Sequence, residues 1–590
     1  MKYESQKAVC QNCKVSFVIE PEDFKFYEKV DVPPPTFCFE CRLQRKMVRR
    51  NERSLYKRKC SLCGSNIISM YPADAIFPVY CPKCWWGDNW DPMSYGREYD
   101  FSKPFFEQWK ERSLVVPRAS LYQKNNVNSP YSNHSEGLKN SYMALNCGLA
   151  ENIFNSKWIV YAKDLADCYV APNCELSYEL IESKRCSRSS YLELCKNCID
   201  CSYLYNCYDC LNCFLSSNLR NQKYVFKNKQ LSKEDYEKAV SDFTGSFSGH
   251  LKASDIFDKE ILPATPRKYM VSGGRWINSS GDYIFGGSKN LKSCFRVSDS
   301  EDCAYCVDSI DLKDSYDAYE SALPGCERQY ECHAGNHLSF SKFSSISYDS
   351  HDLEYCEMCY DSEYMFGCIA LRKKKYCILN KPYSKEEYES MVKKIKKQMG
   401  ELPYIDKKGI IYKYGEYFPS EISPFFYNGS TAQEFFPLTK QEAEVRGYSW
   451  REKDKIDYKI DILSKDMPDK TKDAGNDLAG RVIQCLHHER ANHSGCGCDE
   501  ACIHAFRIIP DELALYKRMD FPLPRLCPNC RQYSRQSRLN PMKLWRRICM
   551  CDKKNHGHGQ GKCKVEFKTS YAPDRPEIVY CEKCYQKEVY

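Results

Sequence analysis

"CKNCIDCSYLYNCYDCLNC" runs from Cys195 to Cys213 and gives six of its nineteen positions to cysteine. Outward from this stretch, Cys174, Cys186, Cys198 and Cys210 lie twelve residues apart, as do Cys195 and Cys207, and Cys201 and Cys213. Short bursts such as SYLEL and SYLYN sit between Asn, Asp and Ser, which is the pattern of very short strands joined by tight turns. A fixed period of twelve predicts successive coils of a β-solenoid. Equivalent residues of such coils stack at the inter-strand spacing of about 4.8 Å. A column of sulfurs at that spacing is a ladder rather than a tetrahedron, and buried free cysteine packs as a small apolar residue. The densest cysteine run therefore reads as wall material.

An iron–sulfur redox protein is the competing reading of the same stretch. Its first seven residues imitate the CxxCxxC opening of a bacterial ferredoxin. However, Cys207 follows Cys201 after five residues rather than three, and Tyr208 stands where that motif has proline.

A second tract keeps the period loosely, through Cys294/Cys306 and Cys356/Cys368. The two tracts end alike. NLRNQKYVFKNKQLSKEDYEKAV (218–240) matches ALRKKKYCILNKPYSKEEYESMV (370–392), with Leu219, Lys223, Tyr224, Asn228, Lys229, Ser232, Tyr236 and Glu237 recurring 152 residues later. Ser232 with Asp235 and Ser384 with Glu387 are capping-box pairs that start a closing helix in each copy.

The chain also resembles itself at its two ends. Phe17, Ile19, Pro21, Tyr27, Asp31, Pro33, Pro35, Cys38 and Cys41 recur as Phe506, Ile508, Pro510, Tyr516, Asp520, Pro522, Pro524, Cys527 and Cys530. A second matching pair follows, ISMYPADAIFPVYCPKC (68–84) and KTSYAPDRPEIVYCEKC (568–584). Each end is thus a tandem of two cysteine modules.

A CxxC knuckle offers two thiolates from one turn, and two knuckles close a tetrahedral structural zinc site. Cys10, Cys13, Cys38 and Cys41 form one such set, and Cys60, Cys63, Cys81 and Cys84 a second. Cys498, Cys502, Cys527 and Cys530 take the corresponding positions of a third, with Cys485, Cys496, His487, His488 and His493 as spare candidates. Cys581 and Cys584 supply half of a fourth, completed by Cys549 and Cys563, with Cys551, His556 and His558 as alternatives. The expected cofactor is Zn2+, about four ions per chain. Thioredoxin-like redox chemistry also uses CxxC, but as a single pair in a βαβ setting.

The first module resembles the probable zinc-ribbon family, through Cys10, Cys13, Phe26, Tyr27, Pro35, Cys38, Cys41 and Arg42. The whole chain is similar to multidomain bacterial proteins that carry this ribbon at both ends. That resemblance implies zinc binding and supplies no activity.

Nine basic residues and one acid lie between Cys41 and Cys60, and seven basic residues and no acid between Arg525 and Arg547, against a whole-chain net charge of +8. Arg42, Arg45, Lys46, Arg49, Arg50, Arg53, Arg531, Arg535, Arg538, Arg546 and Arg547 are the candidate nucleic-acid contacts, with RNA or a ribonucleoprotein favoured over duplex DNA. The rival reading is a zinc-stabilised protein-interaction scaffold whose arginines balance thiolates and backbone carbonyls.

No Walker loop, GxGxxG, GxSxG or HExxH motif occurs, so nothing in the pattern points to an enzyme. Thirty-eight cysteines without an export signal or a long apolar run predict a reduced, cytoplasmic protein with no membrane partner. The expected fold is mainly β, with tandem zinc ribbons (1–118 and 481–590) flanking two solenoid-like tracts. Those tracts are placed at 140–245 and 271–400, each closed by a short helix. Linkers are expected at 119–139 and 246–270, and a connector at 401–480 that ends in an exposed linker, IDYKIDILSKDMPDKTKDAGND.

Overall fold

The computed structural model describes residues 3–321, 324–452, 458–489, 501–559 and 561–590. Strands Ser190–Glu193, Ser202–Tyr205 and Leu211–Ser217, which overlap the quoted stretch, lie side by side in parallel. Their register is twelve residues: Ser190 faces Ser202, Leu192 faces Leu204, and Ser202 faces Phe214. They belong to an eight-stranded sheet that is parallel throughout except for its last pair. The same register already operates between Gln123 and Ser135, so the stretch expected as a linker at 119–139 is part of the paired tract. A three-stranded and a seven-stranded sheet form the second tract. It keeps the step of twelve except at Gly281↔Cys294 and Leu312↔Cys326, where one and two residues are inserted.

The local cause is a left-handed residue at every third position. Tyr203, Asn206, Asp209 and Asn212, with φ of 55°, 53°, 56° and 50°, turn the chain four times in one twelve-residue repeat. Asn and Asp tolerate that conformation better than other L-residues, which explains their density in both tracts. Stacked corners also bond to one another. Asn197 Nδ2 donates to Asp209 Oδ1 at 2.7 Å, Asn206 to Asn218 at 2.6 Å, and Asn278 to Asn290 at 3.0 Å. Inside the first tract, Leu180, Leu192 and Leu204 stack fully buried beside the cysteines.

Each tract ends in an antiparallel hairpin followed by a helix, Lys233–Val240 in the first and Lys385–Glu401 in the second. Ser384 and Glu387 form the reciprocal capping box. At Ser232 the side chain accepts from Asp235 N–H at 3.1 Å and gives its own hydrogen to Asp235 Oδ2. The segment expected as an exposed linker near 458–477 is instead packed: Met467, Ala474 and Leu478 join Phe506, Tyr516 and Leu523 in one core. Arg525 fixes it by donating to the Ser464 and Pro468 carbonyls at 2.7 and 2.8 Å.

Candidate metal centres

Four groups of four cysteines gather at the chain ends: Cys10, Cys13, Cys38 and Cys41; Cys60, Cys63, Cys81 and Cys84; Cys485, Cys502, Cys527 and Cys530; and Cys549, Cys563, Cys581 and Cys584. One local design builds all four. The first cysteine directly follows a strand (Gln6–Val9, Tyr56–Lys59, Ile483–Gln484, Trp545–Ile548). The second stands three residues ahead of the antiparallel partner strand, which begins at Ser16, Asn66, Ala505 or Glu566. The third is a helix N-cap (Cys38, Cys81, Cys527, Cys581), and the fourth lies in that helix's first turn.

The sulfurs are spaced for a metal. Cys13–Cys38 is 3.6 Å, Cys63–Cys81 3.9 Å, Cys527–Cys530 3.4 Å, Cys485–Cys530 3.9 Å and Cys563–Cys581 4.0 Å. A tetrahedron with metal–sulfur bonds of about 2.3 Å has edges of about 3.8 Å. Backbone amides point at the sulfurs in a repeated place: Cys81 N–H at Cys60 Sγ (3.3 Å), Cys527 N–H at Cys485 Sγ (3.1 Å) and Cys581 N–H at Cys549 Sγ (3.2 Å). Such donors stabilise thiolates.

Cys498 lies outside the described residues. Among those described, the thiol that completes the Cys502, Cys527 and Cys530 group is Cys485, at the place of Cys10, Cys60 and Cys549. Spacing hid it, because the knuckle has opened into a long insertion. The usable signal was the strand before it, VIQC, which parallels KAVC, KRKC and RRIC. Cys549 and Cys563 complete the fourth group, while Cys551 and His556 form a separate set with Cys584. All cysteines in described positions are free thiols.

The central cysteines behave differently. Cys198 Sγ donates to the Lys196 and Cys207 carbonyls at 3.5 and 3.3 Å, and Cys201 does the same with Ile199 at 3.2 Å. Serines at equivalent positions make the same bonds. Ser183 Oγ donates to the Ile181 carbonyl at 3.0 Å and accepts from Cys195 N–H at 3.0 Å, as Cys174 Sγ accepts from Cys186 N–H at 3.3 Å. Burial pushes the Cys147 and Cys332 thiols up to about 12 and raises Cys168 well above the ordinary range. Among the described residues no three central cysteines gather as the end cysteines do.

Most of the basic candidates turn inward. Arg42, Arg45, Lys46, Arg49, Arg50, Arg531 and Arg535 are buried, Arg53, Arg538 and Arg547 half-buried, and Arg546 exposed. Arg42 Nε donates to Asp317 Oδ1 at 3.0 Å, Arg45 Nη2 to Glu331 Oε2 at 2.9 Å, and Arg49 Nη2 to Glu357 Oε1 at 3.1 Å. Lys46 lies 3.9 Å from Asp317, and Arg50 bonds Glu52 at 2.6 Å. At the other end Arg531 pairs with Asp167, Arg535 with Glu179 at 2.9 Å, and Arg538 with Asp258 at 2.9 Å. Arg547 donates to the Ala572 carbonyl at 3.2 Å. Asp317, Glu331, Glu357, Asp167 and Glu179 come from the tracts, whereas Glu52 and Asp258 lie outside them; the linear charge pattern does not reveal this set.

Among the described residues no helix is long and apolar enough to cross a membrane. Comparison with protein-family models and with curated proteins finds no match to this chain. The four-cysteine groups at both ends are compatible with zinc-ribbon-like sites on their own geometry.

Proposed function

We propose that this chain is a zinc-stabilised scaffold: two β-solenoid tracts held against each other's neighbouring ribbon modules by helices that the metal sites orient. The observation that carries this reading is the coupling of ligand and clamp on one short helix. Cys38 and Cys41 open the helix Phe39–Met47, which bears Arg42 and Arg45, with Arg49 just beyond it; Cys527 and Cys530 open Pro528–Gln536, which bears Arg531 and Arg535. A metal on the thiolates fixes the helix start, and the arginines on the next turns reach buried acids of a tract. Four thiolates per site leave no open position for substrate, which suits a structural role, and the soft, tetrahedral all-sulfur set favours zinc among common ions.

Most of the arginines that would meet nucleic acid are engaged inside the protein. A docking role for other proteins therefore fits better than RNA binding. The test has two parts. Purified protein should carry about four zinc ions in tetrathiolate sites, and chelation under reducing conditions should strip hydrogen-exchange protection from both docking helices while the tract interior stays protected. Nuclease-insensitive protein partners in a pull-down would support the scaffold, and tight salt-dependent RNA binding would overturn it.

A further inference from the structure

The C-terminal module holds a fifth set of metal-binding atoms, two of which the four-cysteine design does not use. Cys551, His556 and Cys584 bring one ligand atom each within 4.8 Å of one another, and all three are buried, at 0 %, 5 % and 1 % exposure. His556 Nδ1 lies 3.1 Å from Cys551 Sγ. The other ring nitrogen, Nε2, faces Glu588 Oε2 at 3.4 Å, and Lys553 holds the second oxygen of that carboxylate at 3.2 Å. A carboxylate behind the far nitrogen is how proteins fix the tautomer and orientation of a metal-ligating histidine. With the proton on Nε2, the Nδ1 lone pair is left for a metal beside Cys551 Sγ.

We infer that this module binds two metal ions, with Cys584 bridging. One ion sits among Cys549, Cys563, Cys581 and Cys584, and the second is held by Cys584, Cys551 and His556. The inference rests on the reading of the Cys549 group as a metal site. Charge favours the second ion. One divalent ion among four thiolates leaves about −2. A second divalent ion, which displaces the thiol proton of Cys551 and takes His556 neutral, brings the pair to about −1 with five thiolates. The soft set of two sulfurs and one nitrogen suits Zn2+, and three protein ligands leave one tetrahedral position for water. Neither equivalent is found at the matching place of the N-terminal tandem: Ser61 and Leu62 follow Cys60 where Met550 and Cys551 follow Cys549. The extra site therefore belongs to the insertion CMCDKKNHGHGQGKC (549–563), which lengthens the knuckle of this module relative to its N-terminal counterpart.

The experiment is zinc stoichiometry of the full chain, purified under reducing conditions and freed of loosely held ions, compared with the Cys551→Ala/His556→Ala double variant. Five ions in the wild type and four in the variant are expected. Four in both would overturn the second ion and leave the tetrathiolate sites intact, whereas a chain without bound metal would overturn both readings. If the double variant does not fold, the wild-type count alone decides between five and four. Cobalt substitution gives a second readout: loss of one ion in Cys551→Ser, with the absorption of the remaining cobalt–tetrathiolate sites retained.

Discussion

Arg42 Nε donates to Asp317 Oδ1 at 3.0 Å across 275 residues of chain, and the corresponding ion pair is made at the other end by Arg531 Nη1 on Asp167 Oδ2. The likeness extends around both contacts. Tyr305 Oη donates to Asp23 Oδ2 at 3.1 Å where Asn155 Nδ2 donates to Glu512 Oε1 at 3.1 Å. The Tyr27 and Tyr330 rings meet at 5.6 Å where Tyr516 and Tyr178 meet at 5.4 Å. The N-terminal module is thus docked on the second tract as the C-terminal module is docked on the first. Two duplicated units exchange partners along the chain, which locks the ends of the sequence into one body.

Removing one member of a buried ion pair strands the other charge, at a cost of about 3–5 kcal/mol. Asp317 faces both Arg42 and Lys46, so Asp317→Ala leaves two cations unpaired whereas Arg42→Met leaves Lys46 to compensate. Asp317→Ala should therefore destabilise more than Arg42→Met, and Arg42→Met with Asp317→Leu should cost less than Asp317→Ala alone. Thermal unfolding of the set, read at the N-terminal module, checks the order. Equal losses in the two single variants would speak against the shared partner.

The third metal site gives a sharper test of ligand identity. Cys485→Ala removes the thiol that receives Cys527 N–H and stands 3.9 Å from Cys530. It should lower the metal content by one ion per chain and loosen the helix Pro528–Gln536, measured by elemental analysis and hydrogen exchange. Cys498→Ala should leave the count unchanged. The reverse result would return Cys498 to the site.

The tract was legible because its period is exposed in the sequence: Cys174, Cys186, Cys198 and Cys210 mark the same corner of successive repeats, and strand pairing needs no other information. Three of the four end groups of cysteines were legible for a similar reason, since each ligand pair lies close in sequence or repeats a neighbour. Cys485 ranked only as a spare candidate because an insertion separates it from Cys502, leaving the preceding strand as the cue that favours it over Cys498. The role of Arg42, Arg45 and Arg531 was hidden for a deeper reason. A run of arginines has the same linear signature whether it meets phosphate or buried carboxylates. Asp317 and Glu331 reach equivalent places only once neighbouring repeats pair, since Tyr316 meets Tyr330 and Tyr319 meets His333.

The interior ladder makes cysteine and serine interchangeable where the side chain only bridges backbone groups. Cys207 Sγ accepts from Leu219 N–H at 3.4 Å and donates to the Tyr205 carbonyl at 3.4 Å, as Ser183 Oγ does in its own repeat. Cys207→Ser should change stability by no more than about 1 kcal/mol, because the hydrogen bonds survive, and should leave the metal count intact. Cys207→Leu overfills the tract and should cost about 1–3 kcal/mol. Thiol-reactive probes on the folded protein should spare Cys147 and Cys332, whose raised pKa keeps them protonated at neutral pH. Rapid labelling there would contradict the buried ladder.

Acid should open the fold through its buried histidines. His333 is fully enclosed, with Nδ1 2.9 Å from Tyr417 Oη, and burial holds its ring well below the ordinary histidine range. His250 sits 2.7 Å from Tyr203 Oη and is pushed down to about 4 by burial. Both rings stay neutral in the fold at pH 5, while in the unfolded chain each takes a proton near pH 6.5. The stability they contribute is therefore complete above about pH 6.5 and is lost as pH falls, by about 2 kcal/mol at pH 5 for His250. His250→Phe keeps the stacking on Tyr191, whose ring lies 4.8 Å away, and removes one titrating group. Proton uptake on denaturant unfolding at pH 5 should fall by close to one per chain in this variant, with the thiolate contribution cancelling between the two proteins. An unchanged uptake would mean that His250 is already protonated in the native protein.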